Sequence, residues 1–162
     1  MPSKRSAGLL MYRMREDRPE VFLVHPGGPF FVKKDVGVWS IPKGEYTEDE
    51  DALSAAKREF KEETGIDPGE GPFIPLRPIK QKGGKIVDAW AFQGECDPDS
   101  IRSNTFTMEW PPRSGKIRTV PEVDRAGWFS ADDAKEKIME SQLGLLEQLL
   151  MILSANRKKH GA

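Results

Sequence analysis

Apolar residues open the chain in two short blocks. Ala7 to Met14 reads as a first strand and Val21 to Val24 as a second, divided by the charged turn Arg15-Glu16-Asp17-Arg18-Pro19. His25-Pro26-Gly27-Gly28-Pro29 should be irregular, because proline and glycine interrupt both helix and ladder. Val38 to Ile41 reads as a short strand closed by Pro42-Lys43-Gly44. The period then changes from two to about 3.6. Over Thr47 to Thr64, Leu53, Ala56 and Phe60 fall on one face, Thr47 and Glu50 have capping-box spacing, and Gly65 takes the terminating position. Strands follow at Phe73 to Ile79, Lys85 to Phe92 and Ala126 to Phe129. A last helix over Asp132 to Ser154 starts after Ser130 as N-cap, and Ile138, Leu145, Leu146, Leu149, Leu150 and Leu153 suit packing on a sheet. Residues 94–123, rich in Pro, Gly, Ser and charge, read as a long loop or excursion with one strand near Thr105 to Trp110, and residues 156–162 as a tail. Strands, helix, strands, helix is the order of an α/β or α+β sandwich around a mixed sheet.

Composition narrows the class of protein. At 162 residues, with 37% hydrophobic and 31% charged, the chain has the length of one domain spanning 1–162 and can bury a core. Its net charge of -1 argues against a general DNA-coating protein, while leaving room for a local basic pocket. Cys96 alone cannot form an internal disulfide, and His25 and His160 are too far apart in sequence for a usual zinc site. The apolar patch after Met1-Pro2-Ser3-Lys4-Arg5-Ser6 is too short for a signal peptide, and no apolar run is long enough to span a bilayer. The expected setting is cytoplasmic, with no DNA or membrane partner. Oligomeric state is not legible.

The helix over Thr47 to Thr64 holds three carboxylates that stability alone would not place there. At 100° per residue, Glu59, Glu62 and Glu63 share an arc of about 100°. They lie near the negative end of the helix dipole, at a cost of roughly 0.3–1 kcal/mol each. They also repel one another at i,i+3 and i,i+4 by roughly 0.2–0.5 kcal/mol a pair. Arg58 offsets part of this. A hard divalent cation, Mg²⁺ before Mn²⁺, suits such an oxygen-only cluster.

The wider pattern is Gly44, five residues, Glu50, seven residues, then Arg58-Glu59-Phe60-Lys61-Glu62-Glu63-Thr64-Gly65-Ile66. It resembles the Nudix box at every fixed position, with Phe60 and Ile66 at its two apolar positions. Similarity to the Nudix hydrolases extends more loosely through Val38 to Gly44 and Glu122 to Phe129. The resemblance implies an αβα sandwich with a mixed sheet between helices and a divalent-metal-dependent attack of water on a pyrophosphate. By the same resemblance, Glu59, Glu62, Glu63 and Gly44 fall at the metal site, Arg58 orients a glutamate, and Glu50 is the outer glutamate of the box. Glu122 matches the place where relatives often put a further acidic residue near the metals, as ligand or base. Glu109 is a weaker candidate for the same role.

The flanks bear on the substrate. Pro42-Lys43-Gly44 carries lysine where many Nudix enzymes have glycine, and in this it resembles dinucleoside polyphosphate and diphosphoinositol polyphosphate hydrolases. Lys33, Lys34, Arg77, Lys80, Lys82 and Lys85 add cations that suit a polyphosphate. Trp90 lies in a strand where related diadenosine polyphosphate hydrolases have an aromatic residue, and an indole suits stacking on a base. The expected substrate is therefore a dinucleoside polyphosphate such as diadenosine tetraphosphate. The alternatives are a nucleoside triphosphate, ADP-ribose or a nucleotide sugar, a diphosphoinositol polyphosphate, or a non-catalytic nucleotide-binding module.

Overall fold

The computed structural model describes residues 4–160, and side chains as far as residue 156. Two long strands, β1 (Arg5–Arg15) and β2 (Arg18–Pro26), form an antiparallel pair through Tyr12↔Val21 to Arg15↔Arg18. Strand β3 (Lys43–Glu45) joins the same edge of β1 nearer its start, and helix α1 (Ala52–Thr64) follows. Two-residue strands β4 (Ile74–Pro75) and β5 (Ile79–Lys80) both lie against β6 (Ile86–Gln93), which runs parallel to β1. Strands β7 (Thr105–Glu109) and β8 (Ile117–Pro121) make a separate antiparallel hairpin. Strand β9 (Val123–Ser130) pairs with β2, and helices α2 (Ala131–Lys137) and α3 (Leu143–His160) complete the chain. The main sheet runs β4-β6-β1-β2-β9.

This is the α/β sandwich that the sequence implies, with a mixed sheet between helices. Alternate residues of β1 and β2 serve two cores. Leu10, Tyr12, Val21 and Leu23 join Leu145, Leu146 and Leu149 of α3, whereas Leu9, Met11, Phe22 and Val24 join Ala55, Ala56 and Phe60 of α1. Burial on both faces explains why β1 reads as a continuous apolar block. Among the described residues, no helix is long and apolar enough to cross a membrane.

Several elements differ from the sequence reading. His25 and Pro26 stay in β2, bridging to β9 across a register shift. Val38 to Ile41 makes only isolated bridges, Val24↔Ser40 and Trp39↔Ile138, because its two ends address different partners. The Ile41 amide donates to Gln142 Oε1 at 3.0 Å, and Pro42 has no amide to give. Pro75 and Pro78 break the strand expected over Phe73 to Ile79 into β4 and β5. The last helix is cut in two: Ile138 leaves the helical region at φ -70°, ψ 144°, and Met139 donates its amide to Trp39 O. The 94–123 segment holds two strands rather than one. Helix α3 continues to His160 through the segment read as a tail, whose last two residues lie outside the described ones.

Candidate active site

Helix α1 begins one turn later than the Thr47–Glu50 pair implies. Asp51 is its N-cap, accepting from the Ser54 amide at 3.0 Å. Glu50 is occupied elsewhere: its carboxylate takes two hydrogen bonds from Arg58, from Nε at 2.7 Å and from an η nitrogen at 2.9 Å. The second η nitrogen of Arg58 donates to Glu59 Oε1 at 2.7 Å and to Glu62 at 3.2 Å. One guanidinium thus fixes three carboxylates, a task that its planar fork of donors suits. The helix closes on Gly65, which is left-handed at φ 75° and donates to Lys61 O at 2.7 Å.

Gly44 faces this cluster from β3. A side chain at that position would overlap the Glu59 carboxylate, so the missing Cβ is what lets Glu59 lie against the backbone. Gly8 plays the matching part beneath: a Cβ there would come within 2.7 Å of both Lys43 Cβ and Pro42 O. Glu59 is buried, and burial pushes its carboxyl above the ordinary range, with Arg58 opposing and Glu62 and Glu122 adding to the rise. Glu63 is pushed up to about 8 by burial, aided by the charges of Glu122 and Glu59 and opposed by a 3.2 Å hydrogen bond from the Lys43 amide. Burial and Lys85 push the Lys43 ammonium down.

Glu122 reaches this cluster by stitching rather than by sequence proximity. Arg102 and Asn104 donate their amides to Thr64 O and Glu62 O, both at 2.8 Å, so residues 102–104 run along the C-terminal end of α1. The Asn104 carbonyl then accepts from the Glu122 amide at 2.8 Å, and Ser103 Oγ accepts from the Val123 amide at 2.9 Å. The Glu122 carbonyl accepts from Gly27 at 2.9 Å, which ties in the loop after β2.

Lys43, Glu63 and Glu122 line one cavity of about 310 Å³, whose remaining walls are mostly apolar: Val24, Phe31, Val38 and Met139 among them. Of the other candidates, Lys85 lies near Lys43 but is paired with Glu45 at 3.0 Å. Lys33 and Lys34 are on the exposed loop after β2 and do not line the cavity, and Lys34 Nζ stands 5.6 Å over the Phe31 ring. Trp90 is half-buried against the α1-side core, outside the cavity lining. Glu109 caps a turn of the hairpin, accepting from the Arg113 amide at 2.6 Å. Phe31, Val38 and Met139 carry no periodic signal in the sequence. Their only hint is the Pro- and Gly-rich run that precedes Phe31.

As the side chains stand, no three carboxylates, imidazoles or thiols among the described residues converge tightly enough to hold a metal ion. The chemistry of the donor set nonetheless fits a divalent cation. Burial raises the carboxyls of both Glu59 and Glu63, the charges of Glu62 and Glu122 add to the first and those of Glu122 and Glu59 to the second, and Arg58 is the cation hydrogen-bonded to the cluster. Added positive charge would relieve that repulsion.

Comparison with known proteins bears on the family and the fold. The NUDIX domain family matches residues 2–149. None of the curated proteins matches the chain. Among solved structures, a Caenorhabditis elegans Ap4A hydrolase in a binary complex is similar at a TM-score of 0.64 and 22% identity, covering 94% of this chain and 98% of that one. The NUDIX domain of Shewanella oneidensis NrtR complexed with ADP ribose gives 0.65 at 16% identity over 94% and 90% of the two chains. A mutT/nudix family protein from Listeria innocua gives 0.62 at 17%, over 96% and 97%. At these identities the likeness is one of fold.

Proposed function

The chain belongs to the NUDIX domain family, and from that premise we propose that it is a Mg²⁺-dependent pyrophosphohydrolase of dinucleoside polyphosphates, with diadenosine tetraphosphate as the representative substrate. One observation carries the reading: Lys43, Glu63 and Glu122 meet at one place in a cavity whose other walls are mostly apolar. Such a cavity can hold a nucleoside while presenting its phosphates to the charged groups. Glu59, Glu62, Glu63 and Glu122, with the Gly44 backbone beside them, would hold the cation, and Mn²⁺ is a substitute. When bound, the ion supplies neutralisation of phosphate charge and acidification of water.

The chain's own residues do the rest. Arg58 keeps Glu59, Glu62 and the outer Glu50 in fixed orientation. Glu122, which lines the cavity with Glu63, takes the proton of the attacking water. Water adds to phosphorus and the bridging P–O bond breaks, so one substrate becomes two nucleotides. Lys43 meets the phosphate chain, and its partial desolvation strengthens that attraction. Lys33 and Lys34 add positive charge on the loop that carries Phe31, and Lys85 acts on Lys43 through its charge.

An Ap4A hydrolase and an NrtR domain complexed with ADP ribose share the fold of this chain, and the two ligands they name are the pair to test against each other. Diadenosine tetraphosphate should show a higher kcat/KM than ADP-ribose in the presence of Mg²⁺. Lys43→Ala should narrow that ratio rather than lower both alike, because only a contact special to the longer chain changes a ratio. A wild-type ratio in favour of ADP-ribose overturns the substrate and leaves the reaction class.

A further inference from the structure

Outside the catalytic cavity, a second hollow of about 320 Å³ opens between the loop after β2 and the β7–β8 hairpin. Pro29, Val32, Val120 and Pro121 make its apolar walls, and Arg118 stands at it as a cation. Its other charged group, Asp124, is already engaged 2.8 Å from the Nδ1 of buried His25. The two hollows are back to back. Glu122 and Val123 face one, while Pro121 and Asp124 face the other; Phe31 faces the first and Val32 the second.

The surface around the second hollow is unusually apolar for its exposure. Of the six exposed large hydrophobics among the described residues, Phe30, Val32, Val36, Phe106 and Ile117 lie on this loop and hairpin, and only Met151 lies elsewhere. Loop and hairpin are packed on each other, with the Phe30 and Trp110 rings edge to face at 4.9 Å. Lys33 and Lys34 follow Phe31 and Val32 on the exposed loop that the two hollows share. Neither they nor Arg118 make an ion pair with a carboxylate among the described residues. An apolar hollow, an unpaired cation beside it and two further cations on the loop it shares with the first cavity suit one kind of occupant.

We propose that this hollow is a second nucleoside subsite, which holds the far end of a substrate whose phosphate chain crosses Lys33 and Lys34 from the catalytic cavity. The inference rests on the dinucleoside polyphosphate reading above and deepens it. It makes the enzyme selective for a nucleoside at each end of the chain, beyond selectivity for phosphate number. Loop and hairpin then form one binding surface, and Val32 and Arg118 are specificity determinants that touch no reacting atom.

Equilibrium binding separates this from catalysis. Methylene-bridged, non-hydrolysable analogues of diadenosine tetraphosphate and of adenosine 5′-tetraphosphate carry equal phosphate numbers and differ by one nucleoside. With Mg²⁺ present, calorimetry should show the two-nucleoside analogue binding about tenfold more tightly, the range of one added base contact. Val32→Asp and Arg118→Ala, both at exposed positions, should each shrink that preference to about twofold, with the one-nucleoside analogue held within twofold of wild type. Equal binding of the two analogues to the wild type, or loss of both alike in the variants, overturns the subsite. Failure of the enzyme to cleave diadenosine tetraphosphate, with the binding preference intact, overturns the proposed activity instead and leaves the subsite standing.

Discussion

The carboxylate cluster of α1 and the wall of the candidate active-site cavity beside it are built by opposite routes. Gly44, Glu59, Glu62 and Glu63 lie within one 23-residue stretch, Gly44 to Ile66. Their relative positions follow from helical pitch, one N-cap, one Arg58 fork and one glycine. Beside them, Val24, Phe31, Val38, Glu122 and Met139, which line the cavity with Lys43 and Glu63, come from well-separated parts of the chain. Backbone hydrogen bonds hold that wall, with the amides of Val24, Gly27, Glu122 and Met139 donating to the carbonyls of Ser40, Glu122, Asn104 and Trp39 in turn. Charge is concentrated on the first and apolar surface on the second. A site can thus keep its reaction through local sequence while its selectivity depends on distant contacts.

The largest expected effect comes from the carboxylate cluster. Glu63→Gln should lower kcat by about 10³-fold, as loss of a preorganised charge at a phosphoryl site does. Far-ultraviolet circular dichroism should be unchanged, since an amide is easier to bury than a carboxylate. Activity within tenfold of wild type would place the essential charge elsewhere.

Glu122→Gln tests whether the cavity wall is chemical or only a container. As the proposed base it should cost about 10²-fold in kcat, with little change in melting temperature. Turnover within threefold of wild type makes that wall a container and moves the base to the helix.

Stability against pH should also divide the two. With its carboxyl pushed up to about 8 in the fold, Glu63 keeps its proton while the unfolded chain loses it near the ordinary value of about 4.3. The unfolded state therefore binds fewer protons between those values, and stability falls as pH rises from about 4.3 to 8. In excess EDTA the loss should be on the order of 2–4 kcal/mol, seen as a falling urea midpoint. Glu63→Gln should flatten the slope, and Mg²⁺ should restore most stability at the alkaline end. A slope that survives in the variant has another source.

The smallest effect is expected from the stitch itself. Ser103→Ala removes the acceptor of the Val123 amide, at about 1 kcal/mol of stability. It should lower kcat only a few-fold, by loosening Glu122. An unchanged kcat with the expected stability loss would mean that the Asn104 carbonyl alone fixes Glu122.

Legibility in the sequence follows the same division. The box helix, the long strands and the sandwich could be read because each rests on period, capping or a close-range spacing. Even there, Thr47 and Glu50 misled, because Arg58 draws Glu50 away from the cap. The break after Lys137 has no local marker; it follows from Met139 bonding back to Trp39, a hundred residues earlier. Lysines 33, 34 and 85 were legible as charges but not as positions, since a loop's course depends on what it packs against. Trp90 shows the same limit, as nothing in its strand tells which face meets α1. Phe31 has only the Pro- and Gly-rich run before it as a hint, and Met139 has none.

The stitch at residues 102–104 has a bearing on how such a chain can change. Because Asn104 is bound to Glu122 at the base of the hairpin, the span between them is a closed loop anchored at its neck. Its far end, Pro111-Pro112-Arg113-Ser114-Gly115, is exposed and belongs to neither strand. Insertions there leave the neck, and with it the position of Glu122, undisturbed. The tip is therefore a graft point, where a lineage or an engineer can append new recognition surface without touching the machinery below.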